Sequence, residues 1–287
     1  ARGETKYSDS RGLLILREAL SDKLSKVNGI QSAAKDNILV THGAVHGIAI
    51  AIRALVNQGD EVIIIEPFWR AYEANVLLAG GVPVSVRASR HNFLVLDADY
   101  VLSLITNKTK VIIINTPNNP SGSVYDKSEL MLLARGAAKL GIYLISDEVY
   151  EGITFNGVNH YSVASDPKVS DFTLSAFSFS KSHAMTGWRI GYLVANKDII
   201  NECLKLSQFS VTSLSPFTQL AALTALTDPE AQAYAEYMRL QYESRRNYIA
   251  TKVENTWLER AMIIPSGTFP LLATDTQRNR SFCMFSL

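Results

Sequence analysis

Two kinds of hydrophobic pattern alternate along most of the chain. Short runs rich in β-branched residues, typical of buried strands, cover residues 38–41, 61–66, 82–86, 111–115, 142–147, 173–177 and 190–195. Segments with an apolar residue every three or four positions predict helices at residues 12–26, 44–56, 69–78, 100–105 and 127–140. This alternation predicts an α/β fold with a mostly parallel sheet.

The pattern becomes helical after Asp198, with segments at residues 199–207, 216–226 and 229–255. We expect the last and longest of these helices to connect the sheet domain to a smaller C-terminal unit.

Composition narrows the functional classes. The chain has 287 residues, 47% of them hydrophobic, and its 28 basic and 27 acidic residues give a net charge of +1. It lacks the basic stripe of a nucleic-acid-binding protein, and its apolar runs are too short to cross a bilayer. The only cysteines, Cys203 and Cys283, favour a reducing compartment. We expect a protein of the cytoplasm or an organellar matrix that binds neither nucleic acid nor membrane.

The segments that follow the strands are the places to search for a site, because parallel strands bind ligands at their carboxyl ends. The first strand leads into His42, Gly43, Ala44 and Val45, a turn of small residues that opens a helix. The unpaired N–H groups of such a turn suit a phosphate. An ordinary tight turn fits the same residues equally well.

Two further strand ends carry polar groups. Residues 115–122 contain two prolines. The segment is either a simple rigid loop or a loop whose prolines hold the amide of Asn119 in place to donate to a ligand oxygen. Asp147 ends an apolar strand, where a partly desolvated acid needs a cationic partner. Tyr150 faces the same pocket if a helical turn begins here, and a helix N-cap is the alternative role for Asp147.

Lys181 follows Ser178 and Ser180 and precedes Arg189. A surface lysine is the ordinary interpretation of one such position. A lysine enclosed among small polar groups, however, loses its proton readily and forms a Schiff base with a carbonyl. Arg189 is a second cation that suits a phosphate.

Together these groups predict a site for an aromatic phosphate that bears an aldehyde. Lys181 suits the aldehyde, Asp147 a ring nitrogen, Tyr150 and Asn119 a ring hydroxyl, and Trp69 offers an aromatic face for stacking. Pyridoxal phosphate has all of these features. No metal is expected at this site.

The chain resembles the class I and II aminotransferases, pyridoxal-phosphate enzymes of fold type I, over about residues 7–269. The motifs at residues 115–122, 146–150 and 178–191 occur in the family's order, and residues 184–189 are closest to the aspartate and aromatic aminotransferase branch. The resemblance implies a mostly parallel sheet of the seven-stranded type with helices on both faces, and an incomplete small C-terminal domain.

The resemblance also implies a division into three segments. Residues 1–30 would form the N-terminal part of the small domain and a dimer arm. Residues 31–228 would form the large domain that binds the cofactor, and residues 229–287 the interdomain helix and the truncated start of the small domain.

Roles for individual residues follow from the resemblance. Lys181 would form the Schiff base and move a proton at the substrate Cα, Asp147 would keep the ring nitrogen protonated, and Tyr150 would contact the ring hydroxyl. Asn119 would contact both cofactor and substrate, and Trp69 would stack on the ring. The phosphate would contact Gly43, Ala44, Val45, Ser178, Ser180, Arg189 and, from the partner subunit of a homodimer, Tyr7.

The resemblance implies an aminotransferase that exchanges an amino group between an L-amino acid and a 2-oxo acid. Two alternatives stay open. A pyridoxal-phosphate lyase shares the same lysine, aspartate and tyrosine. The other is a truncated homologue that binds the cofactor without turnover. It is expected if the chain lacks the family's carboxylate-binding arginine, which lies in the region of the family beyond the position of Phe269.

Overall fold

Seven strands form the main sheet of the computed structural model, which describes residues 5–90, 92, 94–256, 262–268, 270–275 and 280–286. The strands are β1 (Ile38–Thr41), β2 (Glu61–Glu66), β3 (Val82–Arg87), β4 (Thr109–Asn115), β5 (Tyr143–Asp147), β6 (Thr173–Ser178) and β7 (Gly191–Val194). Their order across the sheet is β1-β7-β6-β5-β4-β2-β3. β7 runs antiparallel to both of its neighbours, and the remaining pairs are parallel. The prediction of a mostly parallel sheet is confirmed.

Eight helices accompany this sheet in the described part of the chain. They are α1 (Leu14–Lys26), α2 (Gly43–Leu55), α3 (Ala71–Leu78), α4 (Ala98–Leu102), α5 (Lys127–Lys139), α6 (Lys197–Val211), α7 (Pro216–Thr227) and α8 (Pro229–Val253). A second, antiparallel sheet has the order β10-β9-β8, formed by β8 (Met262–Ile263), β9 (Pro270–Asp275) and β10 (Arg280–Ser286).

Some helix ends differ from the predicted ones because of local hydrogen bonds. The helix predicted at 100–105 starts earlier, since Asp97 caps it by accepting a bond from the Tyr100 N–H at 2.9 Å. Asn196 likewise caps α6 through the Ile199 N–H. The helix predicted from residue 69 begins at Ala71, so Trp69 lies in the bend between β2 and α3.

Alternate residues of the central strands point to opposite faces, and each face is covered by helices. Ile113 and Ile145 pack with α2, α3 and α6, whereas Ile112 and Leu144 pack with α4 and α5. Each fully buried aliphatic side chain of this kind contributes about 1.5–3 kcal/mol. The predicted helices on both faces are confirmed.

A third apolar cluster joins the start of the chain to the sheet. The spacing of four residues puts Leu16, Leu20 and Leu24 of α1 on one face, and all three are buried against residues of β1, β7 and α7.

None of the described helices combines the length and the hydropathy that a bilayer-spanning segment requires. α8 begins at residue 229, where the third predicted segment begins; the division into three segments itself remains a prediction.

Candidate active site

The strand ends selected from the sequence meet around one cavity of about 230 Å³. It is lined by Ala44, Val45, Ile48, Trp69, Tyr72, Asn115, Asn119, Asp147, Val149, Tyr150, Ser178, Ser180, Lys181, Thr186 and Arg189. Every residue predicted to contact the cofactor is in this set except Gly43 and Tyr7. The cavity lies at the carboxyl ends of β4, β5 and β6 and the N-terminus of α2, as expected for an α/β sheet.

Asp147 ends β5, the central strand of the sheet, and is only 3% exposed. The Tyr72 hydroxyl donates to its Oδ2 at 2.5 Å, and the Val149 N–H donates to its Oδ1 at 3.2 Å. Asp147 therefore lines the cavity and also accepts a bond from the turn that follows it; no helix starts there, so the alternative role of a helix N-cap does not apply.

Burial raises the pKa of Asp147 from 3.8 to about 6. The hydrogen bonds from Tyr72 and Val149 and the charge of Lys181 lower this pKa, whereas the nearby Glu148 raises it. Its two hydrogen-bond donors, a phenol and a backbone N–H, carry no positive charge.

The asparagine loop after β4 is attached to the end of β5. The Asn115 side chain donates to the Asp147 carbonyl at 3.0 Å and accepts from the Asn119 N–H at 2.7 Å. The Asn119 amide donates to the Tyr150 hydroxyl at 3.2 Å. The amide and the phenol that sequence analysis paired on one ring hydroxyl are thus in direct contact.

Lys181 lies beside Tyr150, with its Nζ 5.6 Å from the centre of the phenol ring. Burial lowers the pKa of Lys181, and the charge of Arg189 lowers it further, while the charge of Asp147 opposes this shift. The neutral amine, which is the nucleophilic and basic form, therefore forms more readily than in a surface lysine.

The N-terminus of α2 and Arg189 form the other end of the cavity. Gly43 has φ of +75°, and a Cβ added there would lie 2.6 Å from Arg189 Nη2. The left-handed backbone favours glycine here, and a side chain would push the guanidinium away from the turn. Gly43 therefore shapes the cavity without lining it, while the first-turn residues Ala44 and Val45 line it.

Two serines lie near the same end. Ser178 donates to the Ile190 carbonyl at 3.3 Å and accepts from the Ser180 N–H at 3.0 Å. These bonds fold the segment before Lys181 tightly against the strand that follows it. Helix N–H groups, hydroxyls and a guanidinium are all donors that suit an anion.

Tyr72 and Asn115 are functional candidates that sequence analysis missed. A signal existed for Tyr72, because it lies three residues after Trp69, and the two rings pack edge to face with centroids 5.7 Å apart. For Asn115 the signal was a polar residue at the last position of an apolar strand.

Tyr7 lies outside this cavity. It is 87% exposed and lines a different, open cavity of about 840 Å³ together with residues of the segment 213–217. Its predicted contact with a cofactor phosphate across a dimer remains a prediction.

The fold and the cavity define a class of protein: an α/β protein with a partly buried lysine and a buried acid at the strand ends, near a helix N-terminus and an arginine that suit an anion. The family described as Aminotransferase class I and II matches residues 1–283. An aspartate aminotransferase of Bacillus sp. (strain YM-2) is 39% identical over 272 residues, which is 94% of this chain and 68% of that relative. An aromatic-amino-acid aminotransferase of Thermococcus litoralis is 37% identical and is covered to the same extent, 68%.

Solved structures agree with this match. A double mutant of Thermus thermophilus aspartate aminotransferase superimposes with a TM-score of 0.90 at 37% identity, covering 96% of this chain and 71% of the other. The chain belongs to the class I and II aminotransferases, a family that implies pyridoxal phosphate and acts on amino and 2-oxo acids. The predicted family, fold type and function are confirmed.

The buried acid predicts how stability depends on pH. Because the pKa of Asp147 is raised from 3.8 to about 6 in the folded state, the folded chain binds more protons than the unfolded chain between these values. In the cofactor-free chain this group therefore destabilises the fold by about 2–3 kcal/mol as pH rises from about 4 to about 7. Asp147→Asn should remove this loss. The free energy of unfolding of the variant should therefore rise relative to that of the wild type as pH increases across that range.

Urea unfolding followed by tryptophan fluorescence measures the difference at several pH values. Asp171→Asn, at an exposed position, is the matched control and should show no such gain. Parallel curves for wild type and Asp147→Asn would contradict the pKa assigned to Asp147.

Proposed function

We propose that the cavity binds pyridoxal phosphate through Lys181 and Asp147, and that the chain uses it to move amino groups from L-amino acids to 2-oxo acids. When bound, the cofactor supplies an aldehyde that joins amino groups and an electron-poor ring that spreads negative charge. The observation that carries the proposal is the buried carboxylate of Asp147, which faces the same cavity as the Lys181 amine.

The residues present fit the cofactor. A buried acid whose hydrogen-bond donors are uncharged still needs a positive charge, and a protonated pyridine nitrogen would supply it to Asp147. That contact would lower the pKa of Asp147 and hold the proton on the ring nitrogen. Tyr72 and Val149 already fix the direction of the two carboxylate oxygens.

The amine of Lys181 would act on the proton at the substrate Cα. A general base works best with a pKa near the working pH, and burial moves the pKa of Lys181 in that direction. Tyr150 and Asn119 would orient the ring through its hydroxyl, and Asn119 would also reach the substrate. Trp69 would cover one face of the ring and exclude water from it.

The phosphate would be held at the far end of the cavity, by the N–H groups of Ala44 and Val45, the hydroxyls of Ser178 and Ser180, and the guanidinium of Arg189. Gly43 would act indirectly, since it allows Arg189 to approach the turn.

The names of the relatives support a choice of substrate. Those most similar to this chain include aspartate, aromatic-amino-acid and aspartate/prephenate aminotransferases. We infer that the amino donor is a dicarboxylic or an aromatic L-amino acid, and that the lyase alternative is less well supported.

A homodimer is part of the proposal. Tyr7 does not line the cofactor cavity of its own chain and is exposed. Two phenylalanines on neighbouring helices, Phe209 and Phe217, are 92% and 59% exposed. Exposed apolar residues of this size suit burial against a second copy.

Lys181→Ala tests cofactor attachment. The wild-type chain with added pyridoxal phosphate should show a visible absorbance band that depends on the lysine amine, and the variant should lack it. Lys139→Ala, an exposed position at the end of α5, is the matched control and should keep the band. A band that survives in Lys181→Ala would remove Lys181 from its role.

The form in which the cofactor is recovered after an amino acid is added alone distinguishes amino transfer from elimination. Wild-type protein loaded with pyridoxal phosphate should convert it to pyridoxamine phosphate when L-aspartate or L-phenylalanine is added without a 2-oxo acid. Chromatography of the released cofactor measures the conversion. Cofactor that returns as pyridoxal phosphate, together with ammonia and a 2-oxo acid, would favour the lyase. No reaction with any L-amino acid would favour the non-catalytic homologue.

Sedimentation velocity tests the dimer. The wild type should sediment as a dimer at micromolar concentration, and Phe209→Ser with Phe217→Ser should shift it toward monomer, because the exposed apolar contact is lost. Leu132→Ser, an exposed position on α5, is the control. A wild type that stays monomeric at every concentration would contradict the proposed homodimer.

A further inference from the structure

The turn that carries Asp147 and Tyr150 has a second, acidic side. Asp147 and Tyr150 line the cavity, whereas Glu148 and Glu151 lie outside it and contact other elements. The turn is closed by two backbone hydrogen bonds, from the Glu151 N–H to the Glu148 carbonyl at 3.0 Å and from the Ile153 N–H to the Tyr150 carbonyl at 2.8 Å. Movement of the acidic side would therefore move the cavity side.

Glu148 is fully buried. Its Oε2 accepts from the Ser162 hydroxyl at 2.5 Å and lies 2.7 Å from His160 Nε2. Its backbone N–H donates to the Ala176 carbonyl at 2.9 Å, which extends the β5–β6 pairing past Asp147. The first acid thus ties the turn to the loop at residues 160–162.

Glu151 ties the same turn to α1. Its carboxylate forms an ion pair with Lys23, and the side chains of these two residues are only 18% and 17% exposed. The Lys23 Nζ also lies 4.9 Å from the centre of the Phe177 ring and 3.4 Å from the Tyr192 hydroxyl. Burial by itself raises the pKa of Glu151, but Lys23 and a hydrogen bond from Asn28 outweigh it and hold this pKa below its usual range.

Asn28 joins the two acids into one network. Its amide donates to Glu151 Oε2 at 2.6 Å and to the Ser162 hydroxyl at 2.8 Å, and Ser162 in turn bonds Glu148. The turn is therefore held from behind by groups on α1 and on a separate loop.

The turn also touches the lysine segment. A Cβ added at Gly152 would lie 3.1 Å from the Ser182 Cβ, so the end of the turn packs directly against the neighbour of Lys181. Displacement of the turn would change the position of Lys181 as well as those of Asp147 and Tyr150.

We propose that Glu151 is a positioning residue for the cofactor site, and that its buried ion pair with Lys23 sets the orientation in which the turn presents Asp147 and Tyr150. This inference rests on the proposed function of the cavity. The physical reason is that loss of either partner leaves an uncompensated charge on a side chain that is only 17–18% exposed, which favours a shift of the turn that hydrates it.

The test uses Glu151→Gln, Lys23→Met and the double variant in the full chain. Two quantities are measured: the dissociation constant of pyridoxal phosphate, and the pH midpoint of its lysine-dependent visible band. Each single variant should weaken binding about tenfold, and the double variant should be no weaker than the worse single one, because both remove the same pair.

The pH midpoint separates positioning from general destabilisation. Glu151→Gln should shift it in the same direction as Tyr150→Phe, and should shift it no further when introduced into Tyr150→Phe. Lys26→Met and Asp22→Asn are matched controls, because this exposed ion pair lies on the same helix, and neither change should alter binding or midpoint.

Asn28→Ala provides a second test of the same carboxylate. If Glu151→Gln fails to fold, Asn28→Ala removes one donor to the same carboxylate and should give a smaller shift in the same direction; no shift would overturn the inference. Wild-type binding and midpoint in the folded Glu151→Gln and Lys23→Met variants would also overturn it, leaving the proposed function intact. A wild-type chain without a visible band would instead overturn the proposed function, and the inference with it.

Discussion

A carboxylate buried at the end of the central strand is the constraint on which the candidate site depends. Asp147 ends β5, which is the fourth of the seven strands in the order across the sheet. An ionised acid there loses most of its hydration, and its pKa stays raised to about 6 even with the favourable contacts around it. The surroundings compensate in part, through Tyr72, Val149 and the nearby charge of Lys181. The remaining cost is the reason that a cationic ring nitrogen would bind well.

Hydrogen bonds attach the loops around the cavity to this acid and to the elements behind it. The loop after β4 is attached through Asn115 to the carbonyl of Asp147 itself. The turn after β5 is attached through Glu148 and Glu151 to groups behind it. Loops that carry functional residues are normally more mobile than helices and strands. Here, buried side-chain hydrogen bonds hold the loops in place. That arrangement concentrates stabilising interactions around groups that are themselves costly to bury.

The sequence predicted the sheet, the helices and most of the cavity because these depend on short-range patterns. Asp147 ends one apolar strand and Lys181 follows another, and strand ends in an α/β sheet meet at one edge whatever the details of packing. Tyr72 escaped notice because its role depends on the direction of a side chain from a helix that begins two residues later than the pattern suggested. The pair of Lys23 and Glu151 could not be predicted, since 128 residues separate them and only the docking of α1 brings them together.

Enclosure, more than the charges at the two ends of the cavity, favours the neutral form of a free Lys181 amine. In the cofactor-free chain Arg189 lowers the pKa of Lys181, and Asp147 raises it. In the proposed complex a phosphate would offset Arg189 while a ring nitrogen would offset Asp147, so these two opposing influences would weaken together. Burial, which is the largest cause of the lowered pKa, would then increase because the ring and Trp69 cover the amine. The reactivity of Lys181 thus depends on enclosure more than on any single charge.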